Sequence, residues 1–243
     1  MSHPGFAPSG LPYHRRFTVR PEPGRIEAHM QDFCHHVRVV VTHEAGRIVE
    51  AFSEGIRLPW NTCPLGAAGV GRIAGLTVDE ARNPANWPGG RTANCVHATD
   101  VALVALNHAF EREPFTYAIS VSPASGRIRS VRLERNDVLA VEWTVKDSRL
   151  TAPEELAGRS LNRPDFDDWS GQLPPQEREW ATVLRRACHI APSRDIDLDA
   201  CEVAVQSIGA PDSSCLTLQP GVAETARRVR GSSRGELTDL DRI

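Results

Sequence analysis

The sequence predicts an α+β fold, and three observations favour this class. Residues 37–52 and 115–145 contain alternating apolar and polar positions, which are typical of antiparallel strands. Residues 99–110 and 177–190 repeat their apolar positions at helical spacing. The 243 residues are 40% apolar and 24% charged, the composition of an ordinary globular protein of one or two domains. A core of this size needs neither disulfides nor a metal ion simply to fold.

The N-terminal part begins with a segment rich in proline and glycine, residues 1–27, which we expect to form an extended arm. Two β-branched runs, 37–41 and 48–52, flank a polar turn that contains glycine, and this arrangement predicts a β-hairpin. Small residues dominate the stretch 65–73, which we interpret as a helix. Thr77 is expected to cap a short second helix, because a glutamate follows it three residues later.

The helix at 99–110 has Asp100 in its first turn and a proline beyond its end, as helix boundaries commonly do. The remaining expected elements are strands at 115–121, 128–133 and 138–145, a loop or linker at 151–175, and helices at 177–190 and 223–230. We therefore expect three segments. They are the arm 1–27, a unit 28–113 with the Cys/His site, and a second strand set with helices at 114–243, packed with the first as one globular unit.

Charge and hydropathy limit the classes of partner. The net charge is −3 and the isoelectric point is about 6.3, so the chain lacks the basic character of a nucleic-acid-binding protein. No apolar run approaches the roughly 20 residues of a membrane span, and the first residues do not resemble a signal peptide. We expect a cytoplasmic protein that acts on a small molecule, without nucleic acid or membrane partners. The sequence leaves open whether the protein forms a homo-oligomer.

Side chains that bind metals are concentrated before the hairpin, after the hairpin and at the start of the following helix. They are Cys34, His35, His36, Cys63, Cys95 and His97. Because a hairpin returns the chain to its starting end, the loops before and after it lie close together. A helix that begins at the same end would add a third group, and its dipole is expected to favour the thiolate of Cys95.

Two or three thiolates with one imidazole form a tetrahedral set suited to Zn²⁺, to iron or to an Fe–S cluster. His35 and His36 alternate at the start of a strand, so at most one of them is expected to face the site. The choice of ligand among Cys34, His35 and His36 stays open. Proton transfer is assigned to His97 or Asp100. The predicted metal ligands are Cys34, His36, Cys63 and Cys95.

Three functions are compatible with these residues. The first is a metal-dependent enzyme, a lyase or hydrolase. The second is a non-enzymatic module that binds a metal, an Fe–S cluster or sulfur. The third is a metal-free enzyme with Cys63 or Cys95 as the nucleophile and His97 as the base. The chain has no C-x-x-C pair, and each cysteine taken alone is also explained as a small buried residue.

Residues 33–109 resemble the U-type iron–sulfur cluster scaffold proteins (NifU/IscU-like). Cys34, Cys63 and Cys95 fall on the three cysteine positions of that family, and His36 falls on its acidic position. The chain departs from the family where Asn94 replaces the histidine before the third cysteine and where the lysine of the middle segment is missing. The resemblance implies a hairpin-plus-helices unit that binds a metal or a cluster.

A second resemblance covers residues 13–236. The segments Pro-Trp-Asn-Thr-Cys-Pro at 59–64 and Cys-Leu-Thr-Leu-Gln-Pro-Gly at 215–221 resemble those of a bacterial domain-of-unknown-function family. Genes of that family often stand beside genes for the catabolism of aromatic, terpenoid or acyl-CoA compounds. The resemblance implies a one-unit protein and supplies no settled activity; the first of the three functions is expected to be an enzyme of bacterial catabolism that acts on a small organic molecule by Lewis-acid or activated-water chemistry.

Overall fold

The computed structural model describes residues 10–90, 93–209 and 214–234. It is a mixed α/β structure with eight antiparallel strands and several helices, which confirms the coarse fold class. The first nine residues of the predicted arm lie outside the described residues. Residues 13–22 of that arm form a strand, and a second strand begins at Arg25.

Strands and helices alternate in blocks along the chain. The strands are β1 Tyr13–Glu22, β2 Arg25–Asp32, β3 His36–Glu44, β4 Arg47–Arg57, β5 Phe115–Val121, β6 Ile128–Arg135, β7 Val138–Lys146 and β8 Arg149–Ala152. The α-helices are α1 Cys63–Ala67, α2 Val78–Ala81, α3 Val96–Asn107, α4 Asp165–Ser170, α5 Pro175–Ile190 and α6 Val205–Ile208. None of the described helices is long and apolar enough to cross a membrane.

The chain divides into two compact units. The first contains the described residues of Phe17–Phe115 and those from Ile196 onward, and its strand order is β4-β3-β2-β1. The second contains residues 10–16 and Thr116–Asp195, and its strand order is β1-β5-β6-β7-β8. Strand β1 is shared because the division falls after Arg16. The chain therefore returns to the first unit after the second is complete.

The predicted hairpin is strands β3 and β4, in which Glu44 pairs with Arg47 across a turn at Ala45 and Gly46. Both turn residues have positive φ, +46° and +82°, which matches the right-handed twist of paired strands. Alternate valines of β3 are buried, and helix α3 packs against β3 and β2. The hairpin thus presents one apolar face to the helix and sets the position of the loops at its ends.

The helical predictions were confirmed in four places. The predicted helix at 99–110 is α3, and the helix at 177–190 is α5. The stretch 65–73 is helical as α1 followed by a 3₁₀ segment, Ala68–Ile73. Thr77 caps α2: its Oγ1 accepts a hydrogen bond from the backbone N–H of Glu80, whose side chain accepts one from the N–H of Thr77.

Two predictions in the C-terminal half were wrong. Residues 223–230 are turns and isolated bridges, because their backbone groups bond to distant segments. The N–H of Asn61 donates to the carbonyl of Arg227, and the N–H of Val229 donates to the carbonyl of Pro59. The stretch 151–175 is only partly a loop, since it contains the end of β8 and the whole of α4.

Candidate metal site

The loop between β2 and β3 is organised by a buried carboxylate. Asp32 is the last residue of β2, and its side chain is fully buried. Its Oδ1 atom accepts hydrogen bonds from the backbone N–H of Cys34 at 3.0 Å and of His35 at 2.8 Å. An aspartate that accepts backbone N–H bonds from the following residues fixes a tight turn. The carboxylate therefore holds the two neighbouring side chains in place.

Three ligand-type atoms meet in this loop. The Nδ1 atom of His35 lies 2.9 Å from Oδ1 of Asp32 and 3.2 Å from Sγ of Cys34. The ligand atoms of the three residues all lie within 4.8 Å of one another, and all three residues are buried. Carboxylate oxygen, imidazole nitrogen and thiolate sulfur are each common zinc ligands. Asp32, Cys34 and His35 therefore form a group that could hold a metal ion.

The guanidinium group of Arg57, the last residue of β4, donates hydrogen bonds to the loop between β2 and β3. Its Nη2 atom donates to the backbone carbonyls of Asp32 at 2.8 Å and His35 at 3.1 Å. Its Nη1 atom donates to the carbonyl of Ser232 at 2.9 Å. The register of the hairpin places Arg57 opposite His36, so the strand pairing brings this cation to the loop.

The segment 228–234 lies against the same loop. The backbone N–H of Arg234 donates to the carbonyl of Phe33 at 2.8 Å. Arg228 is buried, donates to the carbonyl of Pro59 at 2.9 Å and bonds the hydroxyl of Ser232. This C-terminal segment thus completes the surroundings of the loop.

The first turn of α3 also reaches the loop. The rings of His35 and His97 are stacked, with centroids 3.7 Å apart and planes inclined by 24°. Asp100 is three residues further along α3, and residues at this spacing share one side of a helix. The two residues predicted to transfer protons therefore belong to the element that contacts the candidate ligand His35.

Cys63 and Cys95 lie at the starts of α1 and α3, and both are buried. The N–H of Cys95 donates to the carbonyl of Gly66 at 2.9 Å, and a Cβ atom on Gly66 would lie 3.3 Å from that of Cys95. Thr217 Oγ1 donates to Sγ of Cys63 at 3.6 Å. Among the described residues, neither thiol belongs to a group of three ligand atoms close enough to share a metal.

His36 occupies a different polar network. Its Nε2 atom lies 3.2 Å from Nδ1 of His29, whose Nε2 atom lies 3.0 Å from Glu27. Burial and the neighbouring charge of His29 lower the pKa of His36 to about 4. The alternation along the strand start therefore separates His35, in the candidate group, from His36. His36 is not a member of the group that the described residues form.

Glu27 in this network has a pKa far below its ordinary value, chiefly because Arg38 donates two hydrogen bonds to it. A carboxyl whose pKa is depressed by folding stabilises the fold above its unfolded pKa of about 4.5 and loses that contribution as pH falls. We expect Glu27→Gln to lower the free energy of unfolding at pH 7 by about 1 kcal/mol, and the difference from wild type to shrink below pH 4.5.

Urea unfolding at several pH values measures this difference. Glu54→Gln is the matched control, because Glu54 is half-exposed and lies 3.7 Å from the same arginine. Its pH dependence should follow that of wild type. Equal acid dependence of Glu27→Gln and wild type would contradict the assignment.

The burial of the thiols corrects one expectation. Burial raises the pKa of Cys95 far above its ordinary value, although the backbone N–H groups of Ala98 and His97 act in the opposite direction. Burial likewise raises the pKa of Cys63 to about 11. The helix N-terminus therefore does not make Cys95 a thiolate, because the loss of hydration outweighs the backbone N–H groups.

The thiol of Cys34 follows the same rule. Burial raises its pKa, the charge of Asp32 raises it further, and the positive charges of Arg57 and Arg228 act in the opposite direction. A bound cation deprotonates a coordinating thiol outright. Without a metal the thiol of Cys34 is therefore neutral. The positive charges of Arg57 and Arg228 offset the negative charge of Asp32.

Sequence reasoning missed Asp32, Arg57 and Arg228. A local signal existed for Asp32, since an aspartate two residues before Cys34 is typical of an Asx turn. Arg57 and Arg228 carry no local signal, because only the hairpin register and the return of the C-terminal segment bring them to the loop.

The fold and site together define a mixed α/β protein with a buried Asp–Cys–His group. No family model, curated protein or solved structure matches the chain. The two resemblances drawn from the sequence therefore stay predictions.

Proposed function

We propose that the protein binds Zn²⁺ or iron through Asp32, Cys34 and His35 and is an enzyme acting on a small organic molecule. The observation that carries this proposal is the convergence of three different ligand atoms within 4.8 Å. Catalytic zinc sites use three protein ligands and keep a fourth position for water or substrate, whereas structural sites use four. The group has three members among the residues that the structure describes, and this number favours catalysis over a structural role.

A metal at this position supplies Lewis acidity to a substrate oxygen or lowers the pKa of water, which suits a lyase or hydrolase. Proton transfer would be carried out by side chains of α3. His97, stacked on His35, is the proposed base, and Asp100 on the same side of α3 is the alternative. The hydrogen bonds of Asp32 and Arg57 to the loop would hold the ligands in position.

The geometry argues against a metal-free cysteine enzyme. In a Cys–His–Asp arrangement the thiol contacts one ring nitrogen and the carboxylate contacts the other. Here Asp32 and Cys34 both approach Nδ1 of His35, so the ring cannot pass a proton between them. The raised pKa values of Cys63 and Cys95 also disfavour either thiol as a nucleophile.

A non-enzymatic binding module is the second candidate. A module that delivers a metal, a cluster or sulfur to a partner needs accessible ligands, whereas Cys34, Cys63 and Cys95 are each at most 6% exposed. Cys63 and Cys95 begin α1 and α3, which are joined by the hydrogen bond from the N–H of Cys95 to the carbonyl of Gly66, and this arrangement favours a non-enzymatic module only for an Fe–S cluster. The resemblance of residues 33–109 to the U-type scaffold proteins would support this second candidate.

The test is a count of metal and acid-labile sulfide per chain, on untagged protein purified without air or chelator. We expect about one zinc or iron per chain in the wild type and loss of that metal in Cys34→Ser. Cys188→Ser, which removes a thiol of the second unit, is the control and should keep it.

Iron with matching sulfide would replace the enzyme proposal by a cluster protein. Wild-type protein that binds neither native metal nor added Co²⁺ would refute metal binding altogether. Metal retained by Cys34→Ser would refute the assigned ligands.

A further inference from the structure

The second unit contains a cavity of about 250 Å³. Strand β6, the turn after β7 and the C-terminal end of α5 form its walls. Its apolar lining comes from Val145, Leu161 and Pro192, and its cationic lining from Arg127 and Arg129. A water molecule in the liquid occupies about 30 Å³, so the cavity accommodates a molecule of roughly six to eight heavy atoms.

Arg129 has hydrogen-bonding capacity that the described chain does not use. Its side chain is 20% exposed, and its one hydrogen bond within the described residues runs from Nη1 to the carbonyl of Ser122 at 3.1 Å. Nη2 forms a long ion pair with Oδ2 of Asp195, at 4.0 Å, and this distance leaves its N–H groups without a hydrogen bond to that carboxylate. A guanidinium group has five N–H donors in a fork that matches a carboxylate.

Arg127, in contrast, is mostly exposed and already paired with Asp147. Both partners of that pair line the cavity, and their charges offset each other. Arg129 is therefore the cation of the cavity that is best placed to bind an anion.

The wall groups at the end of α5 indicate positive potential. Burial lowers the pKa of His189, and the charges of three neighbouring arginines lower it further. They are Arg185, Arg186 and Arg163. Burial raises the pKa of Cys188 to about 12, while the charges of Arg129 and Arg185 act toward the thiolate. The charges of Arg129 and Arg185 therefore act on groups that line the cavity, beside the carboxylate of Asp147.

We propose that this cavity binds a small organic carboxylate, with the carboxylate paired to Arg129 and the apolar chain against the apolar lining. The combination of one partly used arginine fork and three apolar side chains fits an amphipathic anion of four to six carbons better than an inorganic ion. The site belongs to the second unit alone and does not depend on metal binding at Asp32.

The test compares butyrate with butyramide, which has nearly the same shape and no charge. Isothermal titration calorimetry at constant ionic strength gives both dissociation constants, and backbone NMR shifts locate the site. We expect saturable binding of butyrate, with shifts at Val145 and Leu161, and binding of butyramide at least about tenfold weaker.

Variants of two arginines in strand β6 test whether Arg129 binds the carboxylate. Arg129→Gln should weaken butyrate binding about tenfold or more, while Arg129→Lys, which keeps the charge, should lose less. Arg132→Gln is the matched control, because Arg132 is half-exposed, pairs with Glu142 and does not line the cavity. Thermal unfolding confirms that each variant is folded.

Three results would overturn the proposal. They are equal affinity for butyrate and butyramide, absence of saturable butyrate binding, and unchanged affinity in folded Arg129→Gln. Equal affinity for inorganic phosphate and butyrate would also overturn the assignment of an organic carboxylate.

Discussion

Replacing Asp32 with alanine is expected to lower the free energy of unfolding by about 3 kcal/mol, measured by urea denaturation in the presence of a chelator. The carboxylate accepts two buried backbone N–H bonds, and alanine would leave both donors without an acceptor. Each buried unsatisfied donor costs about 1–3 kcal/mol. The chelator removes any contribution of a metal, so the value reports the turn itself.

Asp32→Asn separates the turn from the metal. The amide oxygen can still accept the N–H bonds of Cys34 and His35, so we expect a loss of no more than about 1 kcal/mol. The negative charge is gone, and metal per chain should fall as in Cys34→Ser. Equal stability of Asp32→Ala and Asp32→Asn would show that these hydrogen bonds do not hold the loop.

The second large effect is expected at Arg57. Arg57→Met removes the donors to three backbone carbonyls and the positive charge beside Asp32 and Cys34. We expect the dissociation constant for Zn²⁺ to rise at least about tenfold, since the loop loses its ordering and the ligand charges lose their compensation. A competition assay with a chelating dye measures this constant.

Two further variants are compared with Arg57→Met. Arg57→Lys keeps the charge with fewer donors, so its zinc affinity should lie between those of Arg57→Met and wild type. Arg47→Met, at the other end of β4, removes an exposed arginine that bonds the carbonyl of Gly75 and should leave zinc affinity unchanged. Wild-type affinity in a folded Arg57→Met protein would show that the hydrogen bonds and charge of Arg57 do not act on the site.

The elements predictable from the sequence are those whose pattern is local. The β3–β4 hairpin follows from two β-branched runs and a Gly-containing turn, and α5 follows from its helical apolar spacing. The C-terminal segment was not predictable, because the backbone groups of Arg227 and Val229 bond to residues about 170 positions away. Such non-local pairing leaves no periodic signal in the residues themselves.

The candidate site divides in the same way. The sequence indicated Cys34 and the neighbouring histidines, and it placed His97 at the start of a helix that meets them. It gave no means to choose between His35 and His36, because that choice depends on the Asp32 turn, which holds His35 in the loop before β3 while His36 begins the strand. Arg57 was beyond reach, since its role depends on a register shift in the hairpin between His36 and Val37.

The bond from Arg57 to the carbonyl of Ser232 joins residues 175 positions apart. During synthesis, every residue of the second unit leaves the ribosome before the segment that completes the Asp32 loop. Until that segment emerges, the loop of Asp32 and Cys34 lacks the support that the bond between Arg57 and Ser232 provides. A metal captured earlier would have to be held by an incomplete loop, so correct loading is expected after translation of this segment rather than during it.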